Sequence, residues 1–300
     1  MQRVPDSVRR DVVHVCQRLY ERGLVAGTDG NVSVRVSREQ ILATPTGMCK
    51  GDVGADDLVA CDLAGKQLGG RRQLTTEIKI HLAVYAARDD VCAVVHAHPP
   101  FATAFAVAGL ALDEKLMPEA YIAVGKVALT PYGTPSTDEV VEKIRPALLE
   151  HDALLLANHG AMTFGRDLPG AYHRMEALEQ LARISFITRQ LGSARALSAE
   201  EMAKLEAIRG VYGGPPPNVP CYQCGWTPGG AAPPDVAACR GAEAPPSARP
   251  ATLSRPASYV EPSVHWPGNP PVWERPGSPA TLEEAQVRDL ARRLLHDGES

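Results

Sequence analysis

Residues 92–101 read CAVVHAHPPF. Small and β-branched apolar residues make a strand suited to a core, yet the run ends on two histidines, His96 and His98. Side chains two apart on a strand share a face, so both imidazoles can reach one cation from a single rigid element. A buried imidazole requires either a hydrogen-bond partner or a metal. Two core histidines satisfied by backbone are therefore the competing reading. The pair stands just before Pro99 and Pro100, where a strand ends and a cleft can open. A third histidine, His159, also closes an apolar strand, within ALLLANHGAMTFG at 153–165. Its small Ala and Gly neighbours leave room for a ligand. Three histidines and one open position are the ligand pattern of catalytic zinc.

The segments around this run alternate between strand and helix. Upstream, TTEIKIHLAVYAAR (75–88) places Ile78, Leu82 and Tyr85 at helical spacing, with Thr75 or Thr76 as the expected N-cap. Further upstream, NVSVRV (31–36) alternates like a half-buried strand after the turn GTDG, and ILATPTG (41–47) is a short strand running into a Pro-Gly turn. Val8, Val12, Val15, Leu19 and Tyr20 space as one face of a first helix ended by Gly23. Downstream, PPFATAFAVAG begins a helix with proline at its start. PGAYHRMEALEQLARISFITRQLG is a long amphipathic helix stopped by Gly192. SAEEMAKLEAIRGVYG opens with the capping-box spacing Ser198 and Glu201. The predicted class is α/β (α+β).

Two further sets of residues carry chemistry. Glu77 opens the helix before the histidine strand, either as a first-turn acid facing the helix dipole or as a working carboxylate. His81, four residues on, shares its face and is read as supporting or structural. Thr28, Asn31, Thr46, Gly47, Thr75 and Thr76 stand at turns and at a helix start. Hydroxyls, free backbone N–H groups and a helix N-terminus together make an anion site, although each turn alone is ordinary turn chemistry. No Walker motif is present, which argues against a nucleoside triphosphate.

Bulk properties narrow the classes. A net charge of −4 without a basic run gives no footprint for nucleic acid. No apolar stretch approaches the roughly 20 residues of a spanning helix, and the charged N-terminus is unlike a signal peptide. Cys16, Cys49, Cys61 and Cys92 are scattered, as expected of reduced thiols in a cytoplasmic protein. Of the 26 prolines, 17 fall between Pro215 and Pro279, which divides the chain. We expect a catalytic domain over 1–213, a Pro/Gly/Ala-rich disordered linker over 214–280 and a short amphipathic helix over 281–297. Cys221 and Cys224, with Cys239 and His265, are too irregularly spaced to specify a structural zinc site.

Together, GTDGNVSVR, TPTGMCKGDV, TTEIKIHLAVYAARDDVCAVVHAHPPFATAF, PYGTPSTDE and LLLANHGAMTFG resemble the class II aldolase and adducin family, over about residues 8 to 213. The resemblance implies a central, largely antiparallel sheet sandwiched between helix layers. It implies that His96, His98 and His159 bind Zn2+, that Glu77 is the catalytic acid/base and touches the metal without substrate, and that Thr28, Asn31, Thr46, Gly47, Thr75 and Thr76 hold a substrate phosphate. A Ser-Ser-Glu run common in the family reads Thr75-Thr76-Glu77 here, which keeps the hydroxyls. Tyr212 matches a tyrosine that reaches a neighbouring subunit's site, and Tyr121 is the candidate for a second catalytic tyrosine. The implied activity is cleavage of a ketose 1-phosphate, of the L-fuculose 1-phosphate type, to dihydroxyacetone phosphate and a short aldehyde through an enediolate, in a cytoplasmic homotetramer. Branches that epimerise a sugar phosphate at C4, or decarboxylate or dehydrate sugar-acid phosphates, are alternatives. The epimerase branch typically has Asp where this chain has Glu77. An adducin-like binding module would lack the three histidines.

Overall fold

The computed structural model describes residues 4–112, 115–192 and 194–212. The linker expected over 214–280, the helix expected over 281–297, and Cys221, Cys224, Cys239 and His265 lie outside the described residues.

An eight-stranded sheet forms the middle layer. Its strands are β1 (Asn31–Arg35), β2 (Ile41–Ala43), β3 (Val59–Cys61), β4 (Gln67–Gly69), β5 (Ala93–Ala97), β6 (Val127–Thr130), β7 (Ala153–Leu156) and β8 (Gly160–Gly165). They lie in the order β4-β3-β2-β1-β5-β8-β7-β6. Every neighbouring pair is antiparallel except β6 with β7. The histidine strand β5 is central, flanked by β1 and β8, with Asn31 opposite His96 and His96 opposite Met162.

Helices α1 (Asp6–Glu21), α3 (Pro100–Ala108), α4 (Pro118–Val124) and α6 (Leu168–Gln190) cover one face. Val32 and Val34 of β1, Val95 of β5 and Leu155 of β7 bury against them with Val12, Leu19, Phe105 and Met175. Helices α2 (Ile78–Ala87) and α5 (Asp138–Ile144) cover the other face. There Val94, Leu154, Met162 and Phe164 meet Ile80, Val84 and Tyr85 of α2 and Val140 and Ile144 of α5. Helix α7 (Ala199–Tyr212) follows. Its first turn carries the expected capping box: Glu201 N–H donates to Ser198 Oγ and Ser198 N–H to Glu201 Oε2.

Several expectations are corrected. NVSVR is buried along its whole length rather than half-buried, because helices cover both faces of the central strands. Tyr20 is exposed, so the buried face of α1 stops at Leu19. Helix α2 begins at Ile78, and neither Thr75 nor Thr76 caps it. The Thr75 hydroxyl instead accepts from Glu77 N–H, and the Glu77 carboxylate turns towards the histidines. ALLLANHGAMTFG, expected as a strand with a turn inside it, forms β7 and β8 joined by a tight turn in which Asn158 adopts a left-handed φ of 56°. Small polar Asn tolerates that conformation better than most residues do.

Candidate metal centre

Four segments bring the functional side chains to one end of the central strands. His96 is the penultimate residue of β5 and His98 follows the strand's end. His159 stands in the β7–β8 turn, and Glu77 immediately precedes α2. The three imidazoles surround one point, with ring centroids 4.7–5.0 Å apart. They form a group whose ligand atoms lie within 4.8 Å of one another. Close approach of backbone makes this possible. A Cβ at Gly160 would lie 2.5 Å from His98 Cδ2 and 2.7 Å from the Ala97 carbonyl oxygen. A Cβ at Gly30 would lie 2.7 Å from the His96 carbonyl oxygen, and Gly30 also has a φ of +71°.

Hydrogen-bond partners define which nitrogens face inward. His96 Nδ1 lies 2.9 Å from the Ala161 carbonyl oxygen, an acceptor only. Nδ1 therefore carries the proton, and Nε2 presents a lone pair. His98 Nδ1 lies 3.2 Å from an Asp29 carboxylate oxygen, with the same consequence. Burial, then the neighbouring His96 and His159, push the His98 pKa down to about 4, so this ring is neutral at pH 7. The Nε2 atoms of His96 and His98 face each other at 3.3 Å. Glu77 adds two more acceptors: Oε2 lies 3.4 Å from His96 Nε2 and Oε1 lies 3.3 Å from His159 Nε2. Burial opposes ionisation of Glu77, but the charge and N–H groups of His96 and His159, when these rings carry a proton in place of a metal, outweigh it and hold the carboxyl well below the usual carboxylate range. Converging lone pairs repel unless a cation lies among them. Tetrahedral zinc with bonds of about 2.0–2.1 Å separates its nitrogen ligands by about 3.3–3.4 Å, which matches the His96–His98 spacing. The donor set therefore fits a divalent metal. His159 Nδ1 is buried and has no hydrogen-bond partner among the described residues.

The turns expected to hold an anion are drawn together beside the centre. Lys50, buried at 1% exposure, donates from Nζ to the carbonyls of Thr28 (2.9 Å) and Met48 (2.6 Å), tying the GTDG turn to the TPTG turn. Burial lowers its pKa, opposed by the nearby carboxylates of Asp29 and Glu77. Thr46 N–H donates to the Gln73 carbonyl, which fixes the TPTG turn to the segment leading into Thr75. Thr28, Gly47 and Thr76 are exposed, Thr46 is half-buried and Thr75 is buried. Ser136, in the PYGTPSTDE segment, lies 3.1 Å from the Thr76 hydroxyl. Asn31 is buried and engaged with protein, donating from Nδ2 to Glu77 Oε2 at 2.7 Å. Its amide thus meets the carboxylate rather than an open pocket.

The two tyrosines fall elsewhere. Tyr121 lies on α4 and its hydroxyl donates to Glu206 of α7. Tyr212 is the last residue of α7, and its side chain lies outside the described residues. Sequence reasoning missed Lys50 and Asp29. GTDG contains Asp29 as an ordinary turn residue, and nothing in TPTGMCKGD signals that its lysine is buried. Cys16, Cys61 and Cys92 are buried, Cys49 is half-buried, and burial pushes the Cys16 and Cys61 thiols up to about 12. No helix among the described residues is long and apolar enough to cross a membrane.

Known proteins resemble this chain in sequence and in fold. The chain is 35% identical over 183 residues to an L-fuculose phosphate aldolase of Methanococcus maripaludis, covering 60% of this chain and 96% of that protein. It is 34% identical over 200 residues to a 3-oxo-tetronate 4-phosphate decarboxylase of Haemophilus influenzae, covering 65% of this chain and 94% of that one. A solved L-fuculose 1-phosphate aldolase superposes with a TM-score of 0.63 at 29% identity, over 68% of this chain and 96% of its own. Residues 10–186 match the model of the Class II Aldolase and Adducin N-terminal domain, and the chain belongs to that family.

Proposed function

We propose that this protein is a zinc-dependent class II aldolase that cleaves a ketose 1-phosphate to dihydroxyacetone phosphate and a short aldehyde. The observation that supports this best is the convergence of three imidazoles on one point, two of which, His96 and His159, lie 3.3–3.4 Å from the Glu77 carboxylate. His96, His98 and His159 would hold the ion. Bound there, zinc supplies Lewis-acid polarisation of the substrate's carbonyl and hydroxyl oxygens.

The chain's own groups do the rest. Glu77 carries the proton of the substrate carbon next to the carbonyl: it removes this proton in condensation and returns it after the C3–C4 bond has broken. Displacing the carboxylate from its imidazole neighbours raises its pKa from the depressed resting value towards a range useful for proton transfer. Thr28, Thr46, Gly47, Thr75 and Thr76 bind the phosphate with hydroxyls and backbone N–H groups, on turns held together by Lys50. Asn31 holds the carboxylate that faces the reacting carbon. The protein works in the cytoplasm, consistent with the thiols of Cys16 and Cys61, which form no disulfide. It assembles as a homotetramer in which Tyr212 reaches the neighbouring site.

The test is release of dihydroxyacetone phosphate from L-fuculose 1-phosphate by zinc-loaded protein, with Glu77→Gln as the blank. Release that vanishes in the variant supports both the reaction and the base. A second reading, decarboxylation of a sugar-acid phosphate, draws on the 34% identity to the Haemophilus influenzae decarboxylase. It predicts carbon dioxide from 3-oxo-tetronate 4-phosphate and no dihydroxyacetone phosphate from L-fuculose 1-phosphate.

A further inference from the structure

Behind Glu77 a line of buried polar groups runs under α2. Glu77 Oε2 accepts from Asn31 Nδ2 at 2.7 Å. The other side of the same amide, Asn31 Oδ1, meets His81 Nε2. His81 Nδ1 lies 2.7 Å from Ser33 Oγ, and Ser33 Oγ lies 2.8 Å from the Tyr85 hydroxyl. Ser33 and His81 are 0% exposed and Tyr85 is 1% exposed. The far end is anchored as well: the Arg35 guanidinium stacks over the Tyr85 ring at 4.9 Å and donates to the Tyr85 carbonyl. In a sheet packed on both faces such a chain is expensive unless every member is satisfied.

Donor and acceptor rules give the chain one direction. An ionised carboxylate only accepts, so the Asn31 atom facing it is the NH2 group. Asn31 Oδ1, also only an acceptor, then requires the proton on His81 Nε2. Burial, reinforced by His96, pushes His81 down to about 3, so the ring is neutral and its Nδ1 is bare. Ser33 must therefore donate to His81 Nδ1, and Tyr85, kept protonated by burial, donates to Ser33. Every donor points towards Glu77.

We infer that Tyr85, Ser33 and His81 are positioning residues: through Asn31 they fix Oε2 of Glu77 and leave Oε1, beside His159, as the oxygen presented to substrate. This rests on the reading of Glu77 as the proton carrier, but the direction of the chain can be tested without activity. Nitrogen NMR of the zinc-loaded full chain, labelled at its nine histidines, assigns His81 by the signal lost in His81→Gln. The expected result is a protonated Nε2 and a bare Nδ1. The opposite tautomer overturns the inference. In kinetics, Ser33→Ala lowers turnover about 10- to 100-fold through misplacement of the carboxylate, with KM and zinc content unchanged. His81→Gln, which can still give an N–H to Asn31, retains more turnover than His81→Leu. A folded Ser33→Ala protein with unchanged turnover also overturns the inference. A wild-type protein inactive on every ketose phosphate, yet showing the expected tautomer, sinks the reading of Glu77 as an aldolase base and leaves the chain intact.

Discussion

The two faces of strand β1 are built from the same five residues and do opposite work. Val32 and Val34 point into the core under α1, α3 and α6, where hydrocarbon meets hydrocarbon. Asn31 and Ser33 alternate with them, and each makes a hydrogen bond to a residue at or within α2, Asn31 to the half-buried Glu77 and Ser33 to the buried His81. Both faces exclude water. The first stabilises by burial, and small changes in volume cost a little each. The second gains little net stability, since buried polar groups only recover what desolvation costs. What it gives is a carboxylate and three imidazoles held in one geometry.

Substitutions that touch one face and spare the other break this comparison or sharpen it. The largest expected effect is at Glu77: Glu77→Gln keeps shape and loses the proton carrier, lowering turnover about 10²–10⁴-fold. Steady-state kinetics beside a melting curve would show activity lost with the fold retained. Next is the metal. With zinc about 100- to 1,000-fold above its Kd, stabilisation of about 3–4 kcal/mol is expected over chelated protein. Scanning calorimetry with and without chelator reads this directly, and His98→Ala should abolish most of it.

On the apolar face, Val34→Ala removes two methyl groups from a fully buried site and should cost about 2 kcal/mol in urea unfolding, with turnover unchanged. Equal losses of stability and turnover would mean that the faces are not independent. Lys50→Met releases the carbonyls of Thr28 and Met48. The loss of charged hydrogen bonds worth about 1.5–3 kcal/mol should appear as KM raised about tenfold or more, with kcat less affected.

The smallest effect is in pH. Burial holds His81 neutral down to about pH 3, whereas an unhindered imidazole protonates near 6.5. The unfolded state therefore binds the extra proton, and stability is complete above pH 6.5 and falls as pH drops from there towards 3. At pH 5.5 the loss from this residue is roughly 1–2 kcal/mol. Unfolding of wild type compared with His81→Gln, at pH 7 and 5.5, isolates it. A pH-independent difference would place a charged imidazole in the fold.

Much of the site was legible because its residues lie where local patterns end. His96 and His98 share a strand face by spacing alone, and the NHG turn marks His159 at the end of an apolar run. The turns proposed to hold a phosphate were visible as Thr, Asn and Gly clusters. What was illegible depended on distant partners. Lys50 looks like any surface lysine, and only the apposition of two loops gives its ammonium two carbonyls. Asn31 was legible as a polar residue after a turn, but the bridge its amide makes between Glu77 and His81 was not. The N-cap expected at Thr75 or Thr76 failed because the Thr75 hydroxyl closes a turn onto Glu77. Short β3 and β4 are too brief for a period to declare itself.

By itself the sequence determined the elements with strong period, the capping of α7, the pairing of His96 with His98 on one face and the family to which they point. These follow from rules that act over a few residues: rotamer direction, alternation and turn conformation. Tertiary structure alone decided that β1 is covered on both sides, that His159 and Glu77 meet the histidine pair, that Lys50 clamps two turns and that His81 stands between Ser33 and Asn31. Each of these joins residues far apart in the chain, where no local preference acts and packing of the whole sheet sets the distance.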